Sequence, residues 1–147
     1  MPDSKQAQML MAFDFGTQKM GIAVGQALIE SATPLPLFPM RDGIPQWEEL
    51  LKLVKQYQPD LFLVGLPLNM DDTESELSAR ARKFARRLRH QTNIETLMVD
   101  ERLTTREARD ELEHYQSQGR GKKIAADSIA AALFIESWYR YPEGVNP

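Results

Sequence analysis

With 147 residues, 42% of them hydrophobic and 27% charged, the chain is long enough for one domain with a full core and too short for two. It contains no cysteine, which excludes disulfides, thiolate metal sites and thiol nucleophiles and suits a reducing compartment, the cytoplasm by default. A net charge of −3 and a pI ≈ 5.4 exclude indiscriminate coating of nucleic acid, although a local basic face is compatible with an acidic whole.

Residues 1–8 are polar with no apolar run behind a basic start, and read as a loose tail rather than a signal peptide. No segment is apolar for long enough to cross a bilayer, so no membrane partner is expected. Residues 9–15 and 20–25 are strand candidates joined by the turn Gly16-Thr17-Gln18-Lys19, and so predict a hairpin. A third extended piece falls within 27–38, where Pro34, Pro36 and Pro39 confine it to an edge. Trp47, Leu50, Leu51 and Val54 follow helical spacing from Pro45 to Tyr57, with Pro45 suited to a first turn. Residues 61–66 are wholly apolar, as a strand buried on both faces would be. A helix over 73–91 carries the stripe Leu77, Ala81, Phe84, Ala85 and Leu88, and opposite it Arg80, Arg82, Lys83, Arg86, Arg87 and Arg89. A strand over 94–99 follows, then a helix opened by the capping pattern Thr104-x-x-Glu107, a flexible connector at 117–121, and a last helix over 124–138. The tail 141–147 has little to pack. This order predicts an α/β domain over 9–140, a mixed five-stranded sheet with helices on both faces.

Two carboxylates stand out. Asp14 is the only ionisable side chain between Ala7 and Gln18 and shares a strand face with Leu10 and Ala12. Asp127 is the only charge in residues 124–135, IAADSIAAALFI, on the side of Ala131, Phe134 and Trp138. An acid favoured by a helix N-terminus is the plain alternative for Asp127. Burying two lone carboxylates costs several kcal/mol each unless they are paired, and a divalent cation between them would offset both costs. All-oxygen ligands suit Mg²⁺ or Mn²⁺. A third ligand should come from a neighbouring strand end, where Val99-Asp100-Glu101-Arg102 offers Glu101 as first choice; Asp100 could cap the turn, support the site or be the ligand itself. The basic helix face, with Arg80, Lys83 and Arg87, is either solvated surface or a phosphate-binding set, and Lys122 and Lys123 add a basic loop before Asp127. Arg102 could contact a scissile phosphate or serve only in a surface ion pair. His90 and His114 read as surface residues.

Four segments, FDFGTQKMGIAV, VGLPLNMDDTE followed by SARARKFARRL, VDERLTTREA and KKIAADSIAAALFIES, are similar in order and spacing to the signature segments of the YqgF/RuvX family. That resemblance implies a ribonuclease H-like fold akin to RuvC-type resolvases. It also implies a metal-dependent nuclease associated with 5′-end maturation of pre-16S rRNA, a family earlier described as Holliday-junction resolvases. By motif its acidic residues fall on Asp14, Glu101 and Asp127, with nucleic acid and ribosomal particles as partners. Two positions depart from the pattern: Asp72 stands where the family commonly has glycine, and Gly25-Gln26 replaces an acidic residue. The hypothesis is two-metal phosphodiester hydrolysis, Asp14 bridging the ions and Glu101 and Asp127 holding one side each. The alternatives are junction resolution in DNA, a nucleotide-binding domain of the sugar-kinase and actin type, and a non-catalytic RNA- or ribosome-binding module.

Overall fold

Alternation along the first strand puts Leu10 and Ala12 on one side and Met11 and Phe13 on the other, and all four are buried. A strand buried on both faces needs a layer on each side, and the computed structural model supplies both. It describes residues 6–103, 110, 114 and 125–147. The predicted Thr104-x-x-Glu107 helix start, the 117–121 connector, Lys122 and Lys123 lie outside the described residues.

The strands are β1 (Met9–Asp14), β2 (Lys19–Gln26), β3 (Thr33–Pro34), β4 (Phe38–Arg41), β5 (Ile44–Pro45), β6 (Leu61–Leu66) and β7 (Glu95–Asp100). The described helices are α1 (Trp47–Tyr57), α2 (Glu76–Thr92) and α3 (Ala126–Arg140). The sheet runs β5-β4-β2-β1-β6-β7, with β3 also beside β2. β2 is antiparallel to β1, whereas β6 and β7 are parallel to it, so the sheet is mixed as expected. Among the described residues it has seven strands rather than five: the single piece expected within 27–38 gives way to β3 and the start of β4, and β5 forms where Pro45 was expected in the first turn of a helix. Ala27–Ile29 is a 3-10 turn, and β3, β4 and β5 are short strands. β4 and β5 are joined by Asp42 (φ 49) and Gly43 (φ 77), a two-residue Asp-Gly turn whose left-handed backbone suits a tight hairpin.

Helices α1 and α2 cover the face bearing Met11, Phe13, Phe62 and Val64, and α3 covers the face bearing Leu10, Ala12, Leu61 and Leu63. α2 starts at Glu76 rather than near Thr73, because Ser75 caps it in a reciprocal box with Ser78. Ser78 is fully buried and donates its hydroxyl to the Pro67 carbonyl, while Leu77, expected in the apolar stripe, is 40% exposed. Ser78, three and seven residues before Ala81 and Ala85, joins the buried side of the helix, and its hydroxyl is satisfied there by the Pro67 carbonyl.

Residues 141–147 pack more than their composition suggests. Val145 exchanges two backbone hydrogen bonds with Met98 of β7, at 2.7 and 3.0 Å. Arg82 and Arg86 of α2 donate to the backbone oxygens of Asn146 (2.9 Å) and Pro147 (3.0 Å). Backbone pairing of this kind leaves no mark in side-chain pattern.

Candidate active site

Strand parity brings the acidic positions to one end of one face. On the α3 side of the sheet, Leu10, Ala12 and Asp14 of β1 pair with Gly25, Ala23 and Gly21 of β2. Leu10 and Ala12 also pair with Leu61 and Leu63 of β6, and the next residue in that row, beside Asp14, is Gly65. Asp14 therefore stands between two residues without side chains. A methyl group built on Gly21 would lie 2.1 Å from the carbonyl carbon and oxygen of Asp127, so the first turn of α3 rests directly on the backbone of β2. One built on Gly65 would lie 2.6 Å from Glu101 Oε1 and 2.6 Å from the Phe134 ring. The two glycines thus let Glu101 and the Asp127 backbone approach the sheet on either side of Asp14.

None of the three carboxylate residues is fully buried. Asp14 and Glu101 are half-buried, and the Asp127 side chain is 39% exposed. The expectation of deep burial is corrected: Asp14 is the last residue of β1, and Asp127 sits in the first turn of α3, where water reaches the sheet end. Asp127 occupies a favourable place for an acid at a helix N-terminus. It also has a cationic neighbour that the sequence reading passed over, Lys19 Nζ at 4.0 Å from Asp127 Oδ2. Lys19 opens β2 and shares the parity of Gly21 and Ala23, which is the signal that would have found it.

Asp100, adjacent to Glu101, is committed to Arg102. Its carboxylate accepts from the Arg102 backbone N–H at 2.9 Å, from Nε at 3.0 Å and from Nη2 at 2.8 Å, so it caps the 3-10 turn Glu101–Leu103. Arg102 further donates to Asp72 Oδ1 (2.7 Å) and to the Asn69 carbonyl (3.1 Å). This arrangement matches the ion-pair alternative for Arg102 rather than an open guanidinium. Asp72 has φ 69, the left-handed backbone for which glycine is the usual choice, and its carboxylate gains the Arg102 contact in exchange. The Arg102 hydrogen bonds hold the Asp100 carboxyl below its ordinary value, against the opposing effect of burial. A carboxyl so lowered stabilises the fold fully above about pH 4 and loses that contribution as the pH falls through its folded-state value.

The clamp ties the 68–74 loop to the 3-10 turn that carries Glu101. Arg102→Lys replaces a planar fork with a single ammonium and cannot keep contacts to Asp100, Asp72 and Asn69 together. Its expected result is faster hydrogen exchange at the amides of Asn69 and Asp72, which bond within the loop. Unchanged exchange there would show that Arg102 does not hold the loop.

On α2 the predicted basic face divides. Arg82 pairs with Glu74 (2.8 Å) and Arg86 with the backbone of Pro147. Arg80, Lys83 and Arg87 instead line a cleft of about 200 Å³ with Phe15, Trp47 and the Asp42-Gly43 turn. That cleft opens on the α2 side of the sheet, because Phe15 belongs to the same packed cluster as Phe13 and Phe84. His90 and His114 are exposed.

Among the described residues, no group of three or more His, Cys, Asp or Glu side chains is drawn together closely enough to hold a metal ion. The donor chemistry nevertheless suits one. Asp14, Glu101 and Asp127 are all oxygen donors at one strand end, and Glu101 Oε1 occupies the space that a Gly65 side chain would fill.

A family model described as "RuvX: Holliday junction resolvase" matches residues 8–141. The chain belongs to the RuvX family. Within it, the chain is 81% identical over 147 residues, all of both chains, to a protein of Acinetobacter baylyi (strain ATCC 33305 / BD413 / ADP1) named "Putative pre-16S rRNA nuclease". A Marinobacter nauticus protein of the same name is 46% identical, over 98% of this chain and 100% of that one. Among solved structures, the RuvX chain resembles T. thermophilus RuvC in complex with Holliday junction substrate. The TM-score is 0.62 at 12% identity, over 94% of this chain and 99% of that one. The fowlpox virus resolvase bound to Holliday junction DNA gives 0.55 at 11% identity, over 88% and 97%. At such identities these likenesses establish the fold, which is the ribonuclease H-like one expected. No described helix is long and apolar enough to cross a membrane.

Proposed function

We propose that this RuvX-family chain is a divalent-metal-dependent nuclease that hydrolyses phosphodiester bonds in 5′-end maturation of pre-16S rRNA, in the cytoplasm and on ribosomal precursor particles. The observation that supports the chemistry is that Gly21 and Gly65, flanking Asp14 in the sheet, let the Asp127 backbone and Glu101 Oε1 approach on either side of it. The substrate rests on the names of the relatives, above all the one that is 81% identical over the full chain.

In this reading Asp14, Glu101 and Asp127 would hold the Mg²⁺ or Mn²⁺ ions. When bound, such ions supply Lewis acidity and lower the pKa of coordinated water. The protein's own groups do the positioning. The rigid centre of the sheet holds Asp14, Lys19 tempers the charge of Asp127, and the Arg102 clamp keeps the turn of Glu101 in place. Arg80, Lys83 and Arg87, with Lys122 and Lys123 as further candidates, supply positive charge for the phosphate backbone, while Arg102 is taken up by its pairs with Asp100 and Asp72.

A second reading, resolution of four-way DNA junctions, is favoured by the family description and by the RuvC fold. Symmetric resolution needs two active sites and therefore a dimer. The two are separated by cleavage of pre-16S leader RNA and of a four-way DNA junction side by side, with Mg²⁺ or Mn²⁺ and with EDTA. RNA cleavage that the chelator abolishes is expected. Cleavage of the junction alone would replace the first reading with the second. RNA binding without cleavage of either substrate under any divalent ion would make the chain a non-catalytic module.

A further inference from the structure

Phe15 follows Asp14 in sequence, yet the two serve opposite faces of the sheet. Asp14 lies in the α3-side row with Leu10 and Ala12, while Phe15 is buried among the α2-side residues and lines the cleft with Arg80, Lys83, Arg87 and Trp47. The far wall of the cleft is the β4–β5 hairpin, which is fastened to the β1–β2 turn. Met40 N–H donates to the Gln18 carbonyl at 2.9 Å and Gly43 N–H to the Thr17 carbonyl at 2.8 Å. One turn, residues 15–18, is thus the ridge between the carboxylates and the cleft.

The lining of the cleft has a consistent chemistry. The Arg87 guanidinium carbon lies 5.6 Å from the centroid of the Trp47 ring, and that ring stacks on Phe84 at 5.8 Å with the planes 19° apart. The Trp47 indole N–H is buried with no hydrogen-bond partner among the described residues. Arg80 is held in place by Asp42, through its backbone carbonyl and, at 3.3 Å, its carboxylate, and its guanidinium packs against Gly43, where an added methyl would meet it at 2.6 Å. Lys83 is exposed. Three cations against the single carboxylate of Asp42 leave the cleft positive, and planar groups form its floor. A positive groove with stacking platforms is how single-stranded nucleic acid is gripped, one base on an aromatic or guanidinium plane and its phosphates on neighbouring cations.

We infer that this cleft is a binding subsite for single-stranded RNA flanking the cleaved bond. The strand passes over the 15–18 ridge and seats one base against Trp47 and Arg87 with its phosphates on Arg80 and Lys83. The inference rests on the nuclease reading for the origin of the RNA and on the cleft alone for its recognition. A duplex cannot present an unstacked base to a cleft of this size.

The test is equilibrium titration of tryptophan fluorescence, in EDTA and low salt, with a single-stranded RNA oligonucleotide of about eight residues and with the same sequence as a duplex. Saturable quenching by the single strand is expected in the parent protein and not in Trp47→Phe, which retains Trp138. Lys83→Glu and Arg87→Ala should each weaken binding about tenfold, and Lys83→Ala should lower the slope of log affinity against log salt by about 0.7. No quenching, equal quenching by the duplex, or unchanged affinity in Lys83→Glu would overturn the subsite. Because the readout needs no cleavage, the two readings fail separately. A chain that binds RNA here and never cuts it leaves the subsite standing, whereas one that cuts RNA with no Trp47 signal overturns it.

Discussion

Asp14→Asn abolishes cleavage and leaves the fold intact: that is the expected result with the largest effect on rate. The substitution preserves size and hydrogen-bonding reach while removing the charge at the one acidic position that the pairing of β1 places between Gly21 and Gly65. Loss of a ligand to a cation that neutralises developing charge costs several kcal/mol; about 4 kcal/mol corresponds to roughly a thousandfold lower rate. Stability should move the other way or not at all, since fewer carboxylates then share the sheet end with Glu101 and Asp127 and less like-charge repulsion remains. Initial rates on pre-16S leader RNA, with a thermal melt of the same samples, check both halves. A folded Asp14→Asn protein that cleaves at the parent rate would remove the proposed mechanism altogether.

Gly21→Ala is expected to have the largest effect on stability. Its methyl group would fall 2.1 Å from the Asp127 carbonyl and 2.6 Å from the Ser128 amide nitrogen, and these are backbone atoms that no rotamer change can clear. Helix α3 must lift from β2 at its N-terminus, although the residues behind it, Ala130, Ala131 and Ile135, are packed to near-zero exposure. Overpacking of this kind costs about 1–3 kcal/mol, which for a chain of this length lowers Tm by roughly 2–12 °C. Because the same displacement carries Asp127 away from Asp14, cleavage measured well below both melting temperatures should fall about a hundredfold, the usual penalty for an ångström of misplacement. A Gly21→Ala protein with the parent melting temperature would mean that α3 does not bear on β2 as described.

The contrast between these two positions shows what could be read before the fold was known. Asp14 is legible because parity along a strand is a local property, and one charge among apolar neighbours is visible without any tertiary information. Strands β1, β2, β6 and β7 and helices α1, α2 and α3 were legible for the same reason, each carrying its own period. Gly21 and Gly65 were not, since their role lies in what approaches them from residues more than thirty positions away. Burial was misjudged at Asp14 and Asp127, because apolar neighbours in sequence do not reveal that an element ends there and meets water. The extra strands were hidden by Pro34, Pro36 and Pro39, although the Asp42-Gly43 pair is a recognised hairpin signal. The basic face of α2 looked uniform because its partners, Asp42, Glu74 and the backbone of Asn146 and Pro147, come from other parts of the chain.

The pairing of Val145 with Met98 has a consequence for how copies of this protein can meet. An unpaired outer strand invites another chain to extend the sheet. Here β7 already has a partner over part of its length, and β3 and β5 are two residues long and each contain a proline, Pro34 or Pro45, that cannot donate to a ladder. The sheet is therefore poorly suited to growth by strand addition. Side chains on helices and loops are the better surface through which two copies could meet, and single substitutions there would tune such contact without disturbing the hydrogen-bonded frame.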